Sequence, residues 1–129
     1  MIIAGYAEGE TYGLLGPQMA ATIIEEFSSF SCIVVAVTRS DDRNLLRKAL
    51  SEYFGKCPPV IGFSMLGGRD DLLSLAGLLR AEGATTLLAG PQADVDFTGE
   101  IGSKQYPHRF KGYSDIFTFA LQGPAQQVL

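Results

Sequence analysis

Pro59-Val60-Ile61-Gly62-Phe63-Ser64-Met65-Leu66-Gly67-Gly68 is the stretch that decides the fold. A short apolar run with strand character ends abruptly at Ser64, and a leucine-rich helical pattern follows Gly68 at once. A second such run, Thr85-Thr86-Leu87-Leu88-Ala89, empties into Gly90-Pro91. Two buried strands that each end in a small-residue loop are how an open α/β sheet makes room for a ligand at its carboxyl edge.

Working outward, the same alternation fills the chain. Met1 to Ala4 is an apolar run, followed by a loop from Gly5 to Gly13. Leu15, Met19, Ile23 and Phe27 recur at intervals of four and mark a helix. Cys32 to Val37 is rich in β-branched residues and reads as a strand. Ser40-Asp41-Asp42 caps the next helix, whose Leu45, Leu46, Ala49, Leu50 and Tyr53 share a face; Gly55 ends it. Val60 to Phe63 is the third strand. Asp70-Asp71 opens a helix that buries Leu72, Leu75, Ala76 and Leu79 and stops at Gly83. Thr85 to Ala89 is the fourth strand, an irregular stretch runs from Pro91 to about Gly112, and Ile116 to Ala120 reads as a fifth strand. Gly123-Pro124 then starts a helix, with proline at an early helical position. Helical connections of this length imply an α/β fold: a doubly wound, five-stranded parallel sheet in three layers, with flavodoxin-like order 2-1-3-4-5 and its switch point between strands 1 and 3.

At 129 residues the chain is one domain, 1–129, and 47% apolar against 19% charged composition is globular. A net charge of −4 argues against a nucleic-acid partner. The one basic cluster, Lys104, His108, Arg109 and Lys111, reads as a solvated loop. Cys32 and Cys57 show no pairing pattern and are expected to be free thiols. No apolar stretch reaches the about 18 residues of a membrane helix, so the expectation is a cytoplasmic domain with no membrane partner. The last helix has barely two turns before Leu129, which is the expectation for the N-terminal fragment of a longer protein.

The expected carboxyl-edge loops carry the candidate site: Gly5, Tyr6, Tyr12 and Gly13 after strand 1; Ser64, Met65, Leu66, Gly67 and Gly68 after strand 3; Gly90, Pro91 and Gln92 after strand 4; and Gly123 after strand 5. So many small residues give a broad, backbone-lined surface suited to a large flat ligand. Each has a plainer reading. Ser64 could cap the next helix, Gly67-Gly68 could be a turn, and Tyr6 and Tyr12 could lie over the first helix rather than on a planar ligand. Glu8 and Glu10 read as surface charge, and no nucleophile, base and orienting group can be assembled from one histidine and two scattered cysteines.

With these residues in place, the chain resembles the cobalamin-binding domain family, in the version that stands N-terminal to radical SAM enzymes. Ser64-Met65-Leu66 is similar to the family's Ser-x-Leu element, and Ala89-Gly90-Pro91 stands where the family has Gly-Gly or Gly-Gly-Pro. Gly13-Leu14-Leu15-Gly16-Pro17, leading into Met19-Ala20-Ala21, resembles the first loop and helix. Tyr113-Ser114-Asp115-Ile116 with Gly123 resembles the strand and turn that usually carry Gly-Glu-Gly-Glu. The resemblance implies a cobalamin-binding module without catalysis of its own, joined to a catalytic domain downstream. An iron–sulfur cluster and S-adenosylmethionine would belong to that domain, because Cys-x-x-x-Cys-x-x-Cys is absent here.

The departures define the rival reading. The first loop, Gly5 to Gly13, has no histidine to ligate cobalt, Gln122-Gly123-Pro124-Ala125 replaces the acidic turn, and Gly-Gly is reduced to Ala89-Gly90. These fit a cofactor-free relative that serves as a docking module. A receiver domain would need acidic residues where Gly5-Tyr6 and Ser64 stand, and Glu8-Gly9-Glu10 would repel a flavin phosphate.

Overall fold

The computed structural model describes residues 1–6, 14–65, 68–93, 115–124 and 127. Five strands follow from the apolar runs: β1 (Ile2–Gly5), β2 (Val34–Val37), β3 (Val60–Ser64), β4 (Thr85–Ala89) and β5 (Phe119–Ala120). Between them lie α1 (Leu15–Phe27), α2 (Arg43–Phe54) and α3 (Asp70–Ala81). All pairings are parallel and the sheet order is β2-β1-β3-β4-β5, a flavodoxin-like arrangement with its switch point between β1 and β3. No helix among the described residues is long and apolar enough to cross a membrane.

Side chains alternate across a strand, so register decides what each face holds. On one face Ile3, Ile61, Phe63 and Leu88 meet Leu50 of α2 and Leu72, Leu75, Ala76 and Leu79 of α3. Phe63 and Phe117 close this core with rings edge to face at 5.7 Å. The third helix buries the four residues its periodicity marks. The second helix is anchored by Asp42, whose Oδ1 accepts from the backbone N–H of Asn44 at 2.8 Å and of Leu45 at 3.3 Å.

Three expectations are corrected. α2 does not bury the whole of its marked face: Leu50 is buried, Leu46 and Phe54 pack against the core, and Leu45 and Tyr53 are exposed. Those three inward residues are spaced by four, which is all the contact a helix near the sheet's edge makes. β2 starts at Val34 rather than Cys32, because the Cys32 N–H donates to Glu25 Oε1 at 2.8 Å instead of joining the ladder. β5 is two residues long rather than five. Upstream of it the Ile116 carbonyl accepts from the Thr86 hydroxyl at 2.7 Å, a side-chain bond in place of a backbone one.

The face α1 covers is different. Here the helix buries Pro17 and Ala21, while the stripe that marks it in the sequence points outward: Leu15 is 66% exposed, Met19 42% and Phe27 79%. A four-residue interval drifts about 40° around a helix at each step, so such a stripe spirals rather than facing one plane. The side chains against the sheet are the small ones, which let α1 sit close over β1 and β2.

Thr86 is fully buried, and its Oγ1 also accepts from the Thr118 N–H at 3.3 Å, so one hydroxyl ties β4 to the segment that leads into β5. Thr86→Val keeps the volume but leaves the Ile116 carbonyl unpaired. It is expected to cost about 1–3 kcal/mol, read as a lower urea midpoint than the parent. Coinciding midpoints would show that the hydroxyl does not hold this edge.

Candidate functional site

Register sets two rows across the α1 side of the sheet. Ile2 pairs with Gly62 and Gly62 with Leu87; one step toward the carboxyl edge, Ala4 pairs with Ser64 and Ser64 with Ala89. On the other face the corresponding positions are Ile3, Ile61, Phe63 and Leu88. Large residues therefore fill one side, and Gly62, Ser64 and Ala89 leave part of the other hollow. The result is a groove of about 980 Å³, floored by β1, β3 and β4 and walled by Gly16, Pro17, Ala20 and Ile24 of α1. Among the described residues no charged side chain lines it.

At its carboxyl end the groove meets Ser64, Gly90, Pro91 and Gly123, four of the residues expected in the site. Ser64 does not cap α3, which begins at Asp70 behind Arg69 and has no side-chain cap. Its hydroxyl makes no hydrogen bond to the described residues and stands against Gly90. A β-carbon built on Gly90 would lie 2.8 Å from Ser64 Oγ, and Gly90 has φ +78°, so both space and backbone require glycine there. Gln92 returns to the strand end before it, its N–H donating to the Met65 carbonyl at 3.2 Å.

The remaining candidates lie elsewhere. Met65 is buried in the core on the α2–α3 face. Gly5 faces that side too, where a β-carbon would come within 2.6 Å of Leu72 Cδ1 and 2.8 Å of Arg69 Nη1; close packing accounts for this glycine. The Tyr6 carbonyl accepts from Arg69 Nη1 at 3.5 Å, and the Gly68 carbonyl from Arg39 Nη2 at 2.8 Å. Tyr12, Gly13, Leu66, Gly67 and the basic cluster around His108 fall outside the described residues. Among the described residues no group of three His, Cys, Asp or Glu could hold a metal ion. Cys32 and Cys57 are free and line the groove toward its amino end, with Phe30, Phe54 and Pro59.

Sequence reasoning misses two things. Gly62 and Leu87 enter the site only through register, which no single segment displays. Arg69 carries no signal beyond preceding Asp70-Asp71, yet it is 93% buried and pins the switch point from the other face. Its guanidinium donates to the Val37 carbonyl at 3.2 and 3.3 Å and grips both oxygens of Asp71 at 2.9 Å. Arg43 of α2 completes the network, reaching Asp71 Oδ2, the Thr38 carbonyl at 2.6 Å and the Asp41 carbonyl at 2.5 Å. The ends of β1 and β2 and the starts of α2 and α3 are thus tied together.

The Arg69 guanidinium, with Arg43 beside it, holds the Asp71 carboxyl well below the usual carboxylate range. A carboxyl depressed in the folded state stabilises the fold above the unfolded pKa, and that contribution fades as pH falls below it. The parent should therefore be more stable than Asp71→Asn at neutral pH, with the gap in urea midpoints narrowing below pH about 4. A gap that does not change with pH would overturn the assignment. On the groove side, Gly90→Ala is expected to cost about 1–3 kcal/mol, and Ser64→Ala in the same chain to recover only the part due to contact, leaving the backbone strain. Full recovery in the double variant would remove the backbone requirement.

Compared with known proteins, the chain matches no family model, no curated protein and no solved structure.

Proposed function

We propose that this domain is a cobalamin-binding module, holding the corrin at the carboxyl edge of its sheet. One observation carries the reading: the small residues Ser64 and Ala89, with Gly90 behind them, open into a groove beside the switch point whose described lining holds no charged side chain. Open α/β sheets take ligands at such a point, and close backbone approach needs residues of this size. The groove fits the apolar part of a large ligand. Ser64 offers a hydroxyl, and Gly90, Pro91 and Gly123 offer backbone at the mouth.

The corrin, when bound, supplies the cobalt chemistry. What this chain does is hold and shield it: the floor and α1 exclude water from one side, and Ser64 can donate a hydrogen bond to the ligand. With one histidine, outside the described residues, the reading includes no cobalt ligand from this chain. Substrate and reaction belong to a downstream catalytic domain, the partner this reading implies.

The test is an absorbance titration of hydroxocobalamin and methylcobalamin with the domain. A saturable spectral shift is expected, abolished by Ser64→Tyr, which fills the hollow row. An unshifted spectrum would overturn the reading. It would favour the cofactor-free docking module, for which the specific observation is the outward stripe of Leu15, Met19 and Phe27, joined by the exposed Phe30.

A further inference from the structure

β2 is an outer strand of the sheet and pairs with β1 alone. Its odd-numbered residues serve β1: the Ile33 carbonyl accepts from the Ile2 N–H at 2.7 Å, and the Val37 carbonyl from the Tyr6 N–H at 3.2 Å. Because a strand's bonding direction alternates, Val34 and Ala36 turn their N–H and C=O groups away from the sheet. No described residue takes these groups. The open run is bounded at both ends. Glu25 accepts from the Cys32 N–H at 2.8 Å, Asp41 Oδ2 from the Thr38 N–H at 2.7 Å, and Arg43 donates to the Thr38 carbonyl at 2.6 Å. Edge strands are commonly blunted by a charge, a proline or a bulge, and Val34–Val37 carries none of these. We infer that a second copy of the chain docks on this edge, β2 antiparallel to β2 about a two-fold axis at Val35, with α2 beside α2.

The second helix supplies an independent observation. Its Arg43 and Arg47 lean toward α3, where they bond Asp71 and Glu82. The opposite flank carries Leu45, Ala49 and Tyr53 at intervals of four, all exposed, Leu45 and Tyr53 by 65% each. These are the members of the helix's periodic face that the core leaves over. Since α3 packs on β4, far from β2 in the sheet order, the flank turned away from α3 lies on the side where β2 ends the sheet. An open backbone edge and an apolar helix flank therefore share one side of the molecule.

This side matches itself, which singles out a second copy as its occupant, because a two-fold contact must be self-complementary. With Val34 opposite Ala36 of the second copy, each donates its N–H to the other's carbonyl, and symmetry repeats the exchange around Val35. Antiparallel contact of the two α2 helices centred on Ala49 sets Leu45 against Tyr53 and Asp42 against Lys56, because the members of each pair are equally far from Ala49 in sequence. Asp42 opens the helix and Lys56 follows its end; both are exposed and their charges are opposite. The two centres also agree in height. Thr38 lies three residues beyond Val35, about 10 Å along the strand. Arg43, bonded to the Thr38 carbonyl, begins α2, and Ala49 lies six residues back along the helix, about 9 Å. One axis therefore serves both Val35 and Ala49, and a small residue at the crossing lets the helices approach to the lower end of the usual about 8–10 Å. The groove over β3 and β4 lies away from this contact, so docking does not depend on whether a corrin binds there.

The test is sedimentation of the 129-residue protein across about 1–200 µM, where a species of twice the chain's 13.8 kDa is expected. Ala49→Arg and Leu45→Glu, both at exposed positions, should each raise the dissociation constant at least about tenfold. A monomer throughout, or a dimer that neither variant weakens, would overturn the inference. Cross-linking locates the axis. With Cys32→Ser and Cys57→Ser as background, Ala49→Cys should form a symmetric disulfide under copper–phenanthroline at least about tenfold faster than Lys48→Cys, whose native side chain is 74% exposed on the same helix. Equal rates would count against the α2 contact and overturn the arrangement. A last readout needs no variant: hydrogen exchange of the Val34 and Ala36 amides should slow by about tenfold or more from the lowest concentration to the highest. Exchange that is fast at every concentration would rule out the strand pairing.

Discussion

Strand register, acting on side chains that alternate across the sheet, is the constraint on which everything else here depends. Because Gly62 stands opposite Ile2 and Leu87, and Ser64 opposite Ala4 and Ala89, bulk accumulates on one face and hollowness on the other. The full face takes α2, α3 and a continuous core from Val37 to Phe117. The hollow face takes α1 through Pro17 and Ala21, and leaves a groove beside it. A slip of one residue in β3 would carry Phe63 into the groove and Gly62 into the core, exchanging the two roles.

The charged network at the switch point secures that register. Arg69 is buried against backbone carbonyls of β2 and the end of β1, and Asp71 balances it from the first turn of α3. A buried guanidinium is tolerable only when its donors are occupied, and here they are, by two carbonyls and a bidentate carboxylate. Gly5 has no side chain because this guanidinium and Leu72 take the space. Among the described residues the groove side of the same edge carries no charged side chain, so polar fixing and apolar opening sit on opposite faces of the same strand ends.

Much of this was legible in the sequence, because the local patterns are strong. Strands 1, 3 and 4, the four buried residues of α3, the Asp42 cap and the sheet order all follow from runs, caps and connection lengths. Ser64 and Gly90 follow from where two strands end. What was not legible depends on distance along the chain or on size. The Gly62–Leu87 and Ser64–Ala89 rows join segments that only register brings together. For α1, periodicity singles out Leu15, Met19 and Phe27, but closeness to the sheet selects Pro17 and Ala21, which hydrophobic patterning undervalues. At β5 the Thr86 hydroxyl takes over bonds that a longer strand would have made with its backbone.

The central position of β1 also has a kinetic consequence. Ile2 lies between Val34 on one side and Gly62 on the other, pairings 32 and 60 positions apart. During synthesis the first strand can gain one neighbour early, but its second edge stays open until residue 64 has emerged. The sheet then grows outward through β4 to β5. Contacts this far apart in sequence make for slow folding and for an interval in which an apolar strand edge is available to other chains. The nascent protein is therefore most vulnerable to misassociation after β2 has formed and before β3 arrives, and a chaperone would do most for it in that interval.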